Sequence, residues 1–166
     1  MSEIYDITVI GGGPAGMFAG FYAGLRNAKV QIIESLSELG GQVAALYPEK
    51  IIRDIGGFPA IKGRDLVTHL EKQLQTFNAD IKLKQTVTNV QTAVEGFKIT
   101  TAHEETVTKA ITIATGVGAL TQRKLAVSNS AAFEGKYLLH SVKDFEHFRN
   151  HKVLVAGCCD SAIDDA

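Results

Sequence analysis

The chain has 166 residues, 45% of them apolar, the size and composition of an ordinary globular domain that buries roughly 70% of the surface its unfolded form exposes. A formal net charge of −1 leaves no basic footprint for nucleic acid or for an anionic membrane surface. There is no basic leader and no apolar run near the roughly 18 residues a membrane span needs, and the two adjacent cysteines, Cys158 and Cys159, cannot form the disulfide framework of a secreted domain, so a cytoplasmic protein is expected.

In chain order, residues 5–10 are a β-rich apolar run that ends in Gly11-Gly12-Gly13-Pro14, and residues 15–27 then read as a helix. A second strand is expected over 29–34. Small residues Ala15, Gly16, Ala19, Gly20, Ala23 and Gly24 line the helix, so it can lie close on a sheet as in a βαβ unit. Residues 35–60 read as a long loop rich in Gly and Pro, the kind that usually has a functional reason in a compact domain. An amphipathic helix over 63–77 follows, with Leu66, Val67, Leu70 and Leu74 at helical spacing, and then a short strand over 81–83. Alternating runs between 86 and 108 predict a small antiparallel meander, and residues 110–114 predict a separate apolar strand, buried on both faces, that returns to the parallel sheet. After a connection over 120–130, residues 152–157 again read as strand, glycine and helix start. The fold class expected is α/β: a Rossmann-like βαβ unit in a three-layer arrangement with a parallel sheet and a meander, plus the start of a second dinucleotide-binding domain.

Gly11-x-Gly13-x-x-Gly16 follows a strand, opens a helix, and is answered by acidic Glu34 at the end of the next strand. That context makes it a dinucleotide fingerprint rather than a chance cluster. Gly11 allows the tight turn, Gly13 leaves no Cβ where a pyrophosphate approaches backbone N–H groups, and Gly16 lets helix and strand pack closely. The helix N-terminus contributes partial positive charge. Glu34 can accept hydrogen bonds from ribose hydroxyls and repels a 2′-phosphate, so the site should take FAD or NAD(H) rather than NADP(H).

Gly11-Gly12-Gly13-Pro14-Ala15-Gly16, Glu34-Ser35, Leu39-Gly40-Gly41-Gln42, Ala45-Leu46-Tyr47-Pro48-Glu49-Lys50 and Ile113-Ala114-Thr115-Gly116 resemble, in order and spacing, the thioredoxin-reductase-like ferredoxin–NADP⁺ reductases. The resemblance covers nearly the whole chain. It implies an FAD-binding domain over 1–118 and the start of an NADP(H)-binding domain over 119–166. It also implies that FAD is held at Gly11, Gly13, Pro14, Ala15, Gly16 and Glu34, with Gly41, Gln42 and Tyr47 along the flavin side. Val87 would meet the adenine end through its backbone, Ala114, Thr115 and Gly116 would pass close to the cofactor, and Leu120 matches an apolar position near it. Gly157, Asp160 and Ser161 belong to the second glycine turn. In such proteins the chain continues beyond this point and returns to complete the FAD domain, so an incomplete reductase is expected, and a homodimer for the complete one.

The relatives differ in how electrons leave the flavin. Gly41 is followed by Gln42-Val43-Ala44-Ala45-Leu46, and Leu139 to Asp144 holds no cysteine, so neither place where related enzymes carry a redox thiol pair has one. A disulfide relay needs two thiols that can close a ring and reach the flavin. The favoured reading is electron transfer to a one-electron carrier such as ferredoxin or flavodoxin, with a thioredoxin-reductase-like disulfide reductase and a non-catalytic FAD-binding fragment as the alternatives. No histidine joins a catalytic constellation, and no protein acid, base or nucleophile is nominated. In the second turn Cys159 stands at the middle glycine position of the fingerprint, where a side chain would obstruct a pyrophosphate.

Overall fold

The structure is a computed structural model that describes residues 4–118, 124–125, 127–140, 142, 144–157 and 162–163. Strand β1 (Ile4–Ile10) runs into helix α1 (Pro14–Gly24) and strand β2 (Val30–Ile33), the expected βαβ unit. The helix is shorter than expected because Asn27 adopts a left-handed φ of 59° and the Ala28 N–H returns to the Ala23 carbonyl, which closes the helix end. Helix α2 (Gly41–Leu46), strand β3 (Ile51–Ile52), strand β4 (Ile61–Lys62), helix α3 (Gly63–Leu74) and strand β5 (Asp80–Lys82) follow. Strands β6 (Val87–Ala93), β7 (Gly96–Thr101) and β8 (Glu105–Ile113) complete the sheet.

The six-stranded sheet has the order β5-β2-β1-β8-β7-β6. Its first four strands are parallel, and β8, β7 and β6 form the antiparallel meander. The expected strand over 110–114 is the second half of β8 rather than a separate element. One long strand joins the parallel and antiparallel parts of the sheet: residues 105–108 pair with β7 and residues 107–113 run beside β1. Nor is it buried on both faces, since Ala110 and Ile113 are exposed.

Ile7 and Val9 of β1 and Val30 and Ile32 of β2 face α1 and α3, where Met17, Leu39, Val43, Val67 and Leu74 close the core. Small residues on α1 allow this approach: a Cβ on Gly20 would stand 2.9 Å from Ile32 Cδ1 and 3.1 Å from Leu74 Cδ1. The opposite face carries Thr8 and Gln31, both fully buried. Thr8 Oγ1 donates to Gln31 Oε1 at 3.2 Å, and so does Thr106 Oγ1, at 3.1 Å, from the start of β8 two strands away. The meander end of β8 therefore folds over this face, giving helices, sheet and meander as three layers.

The long loop expected over 35–60 contains α2 and β3. Gly40, at a φ of 109°, turns the chain where residues with a Cβ are strained, and the single helical turn pair that follows buries Val43. Six residues are too few to show helical periodicity in a sequence. The strand expected over 152–157 has no ladder partner among the described residues, and Val153, Leu154 and Val155 are exposed there. An extended segment becomes a strand only by pairing.

Leu74→Ala should destabilise the protein by about 2–5 kcal/mol, the range for emptying a filled core position, as read from the urea unfolding midpoint. A second prediction concerns Asp6, whose carboxylate accepts from Lys109 Nζ at 2.7 Å and from Lys29 N–H at 2.8 Å. The Lys109 hydrogen bond first, and the Lys29 amide second, hold this carboxyl below its ordinary value. A lowered value in the folded state contributes stability above the unfolded carboxylate pKa of about 3.9 and loses it as pH falls through the folded one. Asp6→Asn should therefore flatten the acid limb of the melting temperature profile and leave its neutral slope unchanged.

Candidate functional site

The carboxyl ends of β1, β2 and β8 finish level with one another: Gly11 N–H donates to Ile33 O, and Ala114 N–H to Ile10 O, each at 2.8 Å. Because β2 and β8 flank β1 on opposite sides, the connections leave in opposite directions and open a crevice between them, the usual ligand position in an open α/β sheet. A cleft of about 330 Å³ lies there. Its walls are Ile10, Gly11 and Gly13, residues 33–36, Gly41 and Gln42, residues 85–87 and residues 114–118.

The three motif glycines have separate jobs. Gly11 has a φ of 107°, and a Cβ there would sit 2.3 Å from the Ala114 carbonyl oxygen. A Cβ on Gly16 would sit 1.9 Å from the Gly11 oxygen, so the first helical turn lies directly on the strand end. Gly13 differs. Its φ of −70° suits any residue, and a Cβ would meet nothing nearer than Gly41 Cα at 3.9 Å. Space at Gly13 is space in the cleft. Pro14 occupies the first helical turn and α1 has no capping side chain, which leaves its first-turn N–H groups available to an anion.

Glu34 is buried, and three donors hold its carboxylate: Gly12 N–H on Oε2 at 2.6 Å, and Ser35 Oγ at 3.0 Å and Leu36 N–H at 2.8 Å on Oε1. An ionised carboxylate has about four acceptor positions, so one on Oε2 remains for a ligand hydroxyl. Glu34 thus fastens the end of β2 to the glycine turn as well as facing the cleft. The second glycine pair locks onto the first, since Gly40 N–H donates to Gly12 O at 2.9 Å and a Cβ on Gly41 would come within 3.0 Å of Gly13 Cα. Gln42 then reaches across, its Nε2 lying 3.4 Å from where a Cβ on Gly116 would be. The far wall is a turn in which Gly118 N–H donates to Thr115 O at 2.9 Å.

Of the residues expected at the site, Gly11, Gly13, Glu34, Gly41, Gln42, Val87, Ala114, Thr115 and Gly116 line this one cleft. Pro14, Ala15 and Gly16 form the helical turn beside it. Tyr47 does not line it and packs against the hydrophobic core. Gly157 is exposed and apart from the cleft, where a Cβ would stand 2.7 Å from the Ala162 methyl. Leu120, Cys158, Cys159, Asp160 and Ser161 lie outside the described residues. The cleft also includes Ile10, Ile33, Ser35, Leu36, Gln85, Thr86, Val117 and Gly118, which the motifs did not single out although each lies within two positions of a residue that they did. Among the described residues no group of His, Cys, Asp and Glu could hold a metal ion, and no helix is long and apolar enough to cross a membrane.

A strand-glycine-helix turn, an acidic second strand end and a crevice at the reversal of strand order define a dinucleotide-binding α/β protein. Residues 9–56 match a family model described as an NAD(P)-binding Rossmann-like domain, and residues 55–166 match the pyridine nucleotide-disulphide oxidoreductase model. The chain belongs to the pyridine nucleotide-disulphide oxidoreductase family. Within it, the chain is 59% identical to the ferredoxin–NADP reductase of Lactiplantibacillus plantarum over all of its own length and 50% of that protein's, and 53% identical to that of Pediococcus pentosaceus over all of its length and 51% of the other's. It spans about half the length of the curated relatives it matches. Among solved structures it is similar to thioredoxin reductase from Streptococcus pyogenes, with a TM-score of 0.63 and 28% identity over 76% of this chain and 39% of that one. Thioredoxin reductase from T. acidophilum gives a TM-score of 0.64 and 25% identity over 81% and 41%.

The unequal roles of the glycines can be separated by stability alone. Gly16→Ala should cost at least about 2 kcal/mol, because backbone must move to admit the methyl, whereas Gly13→Ala should leave the urea midpoint of the ligand-free protein at the wild-type value.

Proposed function

We propose that this chain forms the FAD-binding part, with the beginning of the NADP(H)-binding part, of a reductase that passes electrons between NADPH and ferredoxin or a similar one-electron carrier such as flavodoxin. The observation that carries the reading is the convergence of the Gly11-to-Gly16 turn, Glu34, the Gly40-Gly41 turn and the 114–118 turn on one cleft at the reversal of strand order. Identity of 53–59% along all of this chain, over about half of each relative, to proteins named ferredoxin–NADP reductase supports it. On this reading residues 1–118 belong to the FAD-binding domain and residues 119–166 open the NADP(H)-binding domain, in a cytoplasmic protein that is a homodimer when complete.

The residues present fit FAD. A Cβ at Gly13 would fill the space bordering the α1 N-terminus, where a pyrophosphate gains backbone N–H partners and the helix dipole. The remaining acceptor position of Glu34 suits a ribose hydroxyl, and its charge disfavours a 2′-phosphate in the same place. Thr115 and Gly116 bound the opposite wall together with Gln42, on the side where the resemblance puts the flavin. Bound FAD supplies the conversion between a two-electron hydride donor and a one-electron carrier. The protein binds and orients it; no protein acid, base or nucleophile is assigned.

Titrating FAD into the purified chain, followed by flavin fluorescence and the visible spectrum, tests the assignment. Wild type should bind, Gly13→Val should retain no FAD, and Glu34→Ala should bind more weakly by about 1–3 kcal/mol, the scale of lost charge-assisted hydrogen bonds. Unchanged flavin content in both variants would overturn it. An NADPH-dependent disulfide reductase activity without ferredoxin reduction would favour the thioredoxin-reductase-like alternative.

A further inference from the structure

The segment that joins β5 to β6 crosses the carboxyl end of β2 and supplies one wall of the cleft, yet it belongs to neither strand ladder there. Where the β2–β5 ladder ends, with Glu34 N–H on Lys82 O at 2.9 Å, the segment is held by two further backbone hydrogen bonds: Lys84 N–H to Leu36 O at 2.8 Å and Gln85 N–H to Glu34 O at 2.9 Å. Lys84 takes a left-handed φ of 57°, which a residue with a Cβ adopts at a cost, so this crossing needs support from elsewhere. The support comes from the meander. Gln85 Nε2 donates to Glu104 Oε1 at 3.1 Å, and Thr101 Oγ1 donates to Gln85 Oε1 at 3.0 Å. Thr101 and Glu104 are in turn bound to each other, through Thr101 N–H to Glu104 O at 2.9 Å and Glu104 N–H to Thr101 Oγ1 at 3.1 Å. Both polar ends of one amide are therefore gripped by the β7–β8 turn, while the same residue's backbone grips Glu34.

We infer that Gln85 is a positioning residue for the cofactor: it clamps the β7–β8 turn of the meander to the strand end that carries Glu34, and so fixes the wall formed by Glu34, Thr86 and Val87 before any ligand arrives. The inference rests on the reading that this cleft takes FAD. A preorganised wall gains affinity by removing the ordering that binding would otherwise require. Without the clamp the 84–87 crossing keeps its backbone bonds but loses the only side-chain hydrogen bonds that, among the described residues, tie it to the meander, and Glu34 shares the loosening through its carbonyl.

The test measures FAD dissociation constants by fluorescence for the full chain, together with urea midpoints of the ligand-free proteins. Gln85→Ala should weaken FAD binding about tenfold, the loss expected from one or two hydrogen bonds. Gln85→Glu, which sets a carboxylate against Glu104, should weaken it at least as much. The reciprocal pair Gln85→Glu with Glu104→Gln restores a donor and an acceptor in reversed order and should regain most of the affinity, a rescue that loss of packing alone cannot give. Thr88→Ala removes another meander hydrogen bond, from Thr88 Oγ1 to Thr100 O at 3.2 Å, away from the cleft, and should leave affinity unchanged. Wild-type affinity in Gln85→Ala, failure of the reciprocal pair to rescue, or an equal loss in Thr88→Ala would each overturn the inference alone. A wild-type chain that binds no FAD would overturn the functional reading and the inference with it.

Discussion

The rest of the structure depends on how closely the first turn of α1 lies on the end of β1. Gly16 and the Gly11 oxygen are so near that no side chain fits between them, and Gly11 itself presses on the Ala114 carbonyl. These two contacts bring the helix N-terminus, the end of the central strand and the end of β8 to one point. Three other parts of the cleft wall are referred to that point: Glu34 by its bond to Gly12, Gly40 by its bond to the Gly12 carbonyl, and the 114–118 turn by the continuation of the β1–β8 ladder. A methyl at Gly16 would not simply occupy volume. It would separate the strand and helix whose juxtaposition creates the crevice.

Glu34 illustrates how one side chain serves both fold and site. A buried carboxylate is costly unless several donors satisfy it, and here backbone N–H groups of the glycine turn and of Leu36 do so along with Ser35. The arrangement is polar and preformed, so a ligand hydroxyl would meet an acceptor whose orientation is already decided. The same network explains why the acidic residue belongs at the end of β2, where the Gly12 N–H, the Ser35 hydroxyl and the Leu36 N–H converge on it.

What the sequence made legible follows the range of the forces involved. The glycine turn, α1, α3 and the acidic strand end are governed by local sterics and by short periodicities, and nine of the expected site residues meet in the cleft as a result. The six-residue helix α2 was hidden because it has too few residues to repeat a pattern and begins at two glycines that read as loop. The continuity of β8 was hidden because exposed Lys109 and Ala110 interrupt its apolar alternation at the place where it passes from one sheet partner to the next. Gln85 was hidden for a different reason: its partners lie 16 and 19 residues away, and a polar pair at such separation leaves no periodic trace.

The thiol content then narrows chemistry that the fold leaves open. Membership of a pyridine nucleotide-disulphide oxidoreductase family places this chain among proteins that share a dinucleotide scaffold, and a scaffold alone does not select the electron acceptor. Selection requires a group able to receive electrons beside the cleft. The residue after Gly41 is Gln42, which spans toward Gly116, and the short helix it begins carries Val43, Ala44, Ala45 and Leu46. A thiol relay at that helix would need two sulfurs at the cleft wall, and amide and aliphatic side chains occupy every position of it. On the proposed reading, the wall at Gln42 serves to hold the cofactor in place and not to store its electrons.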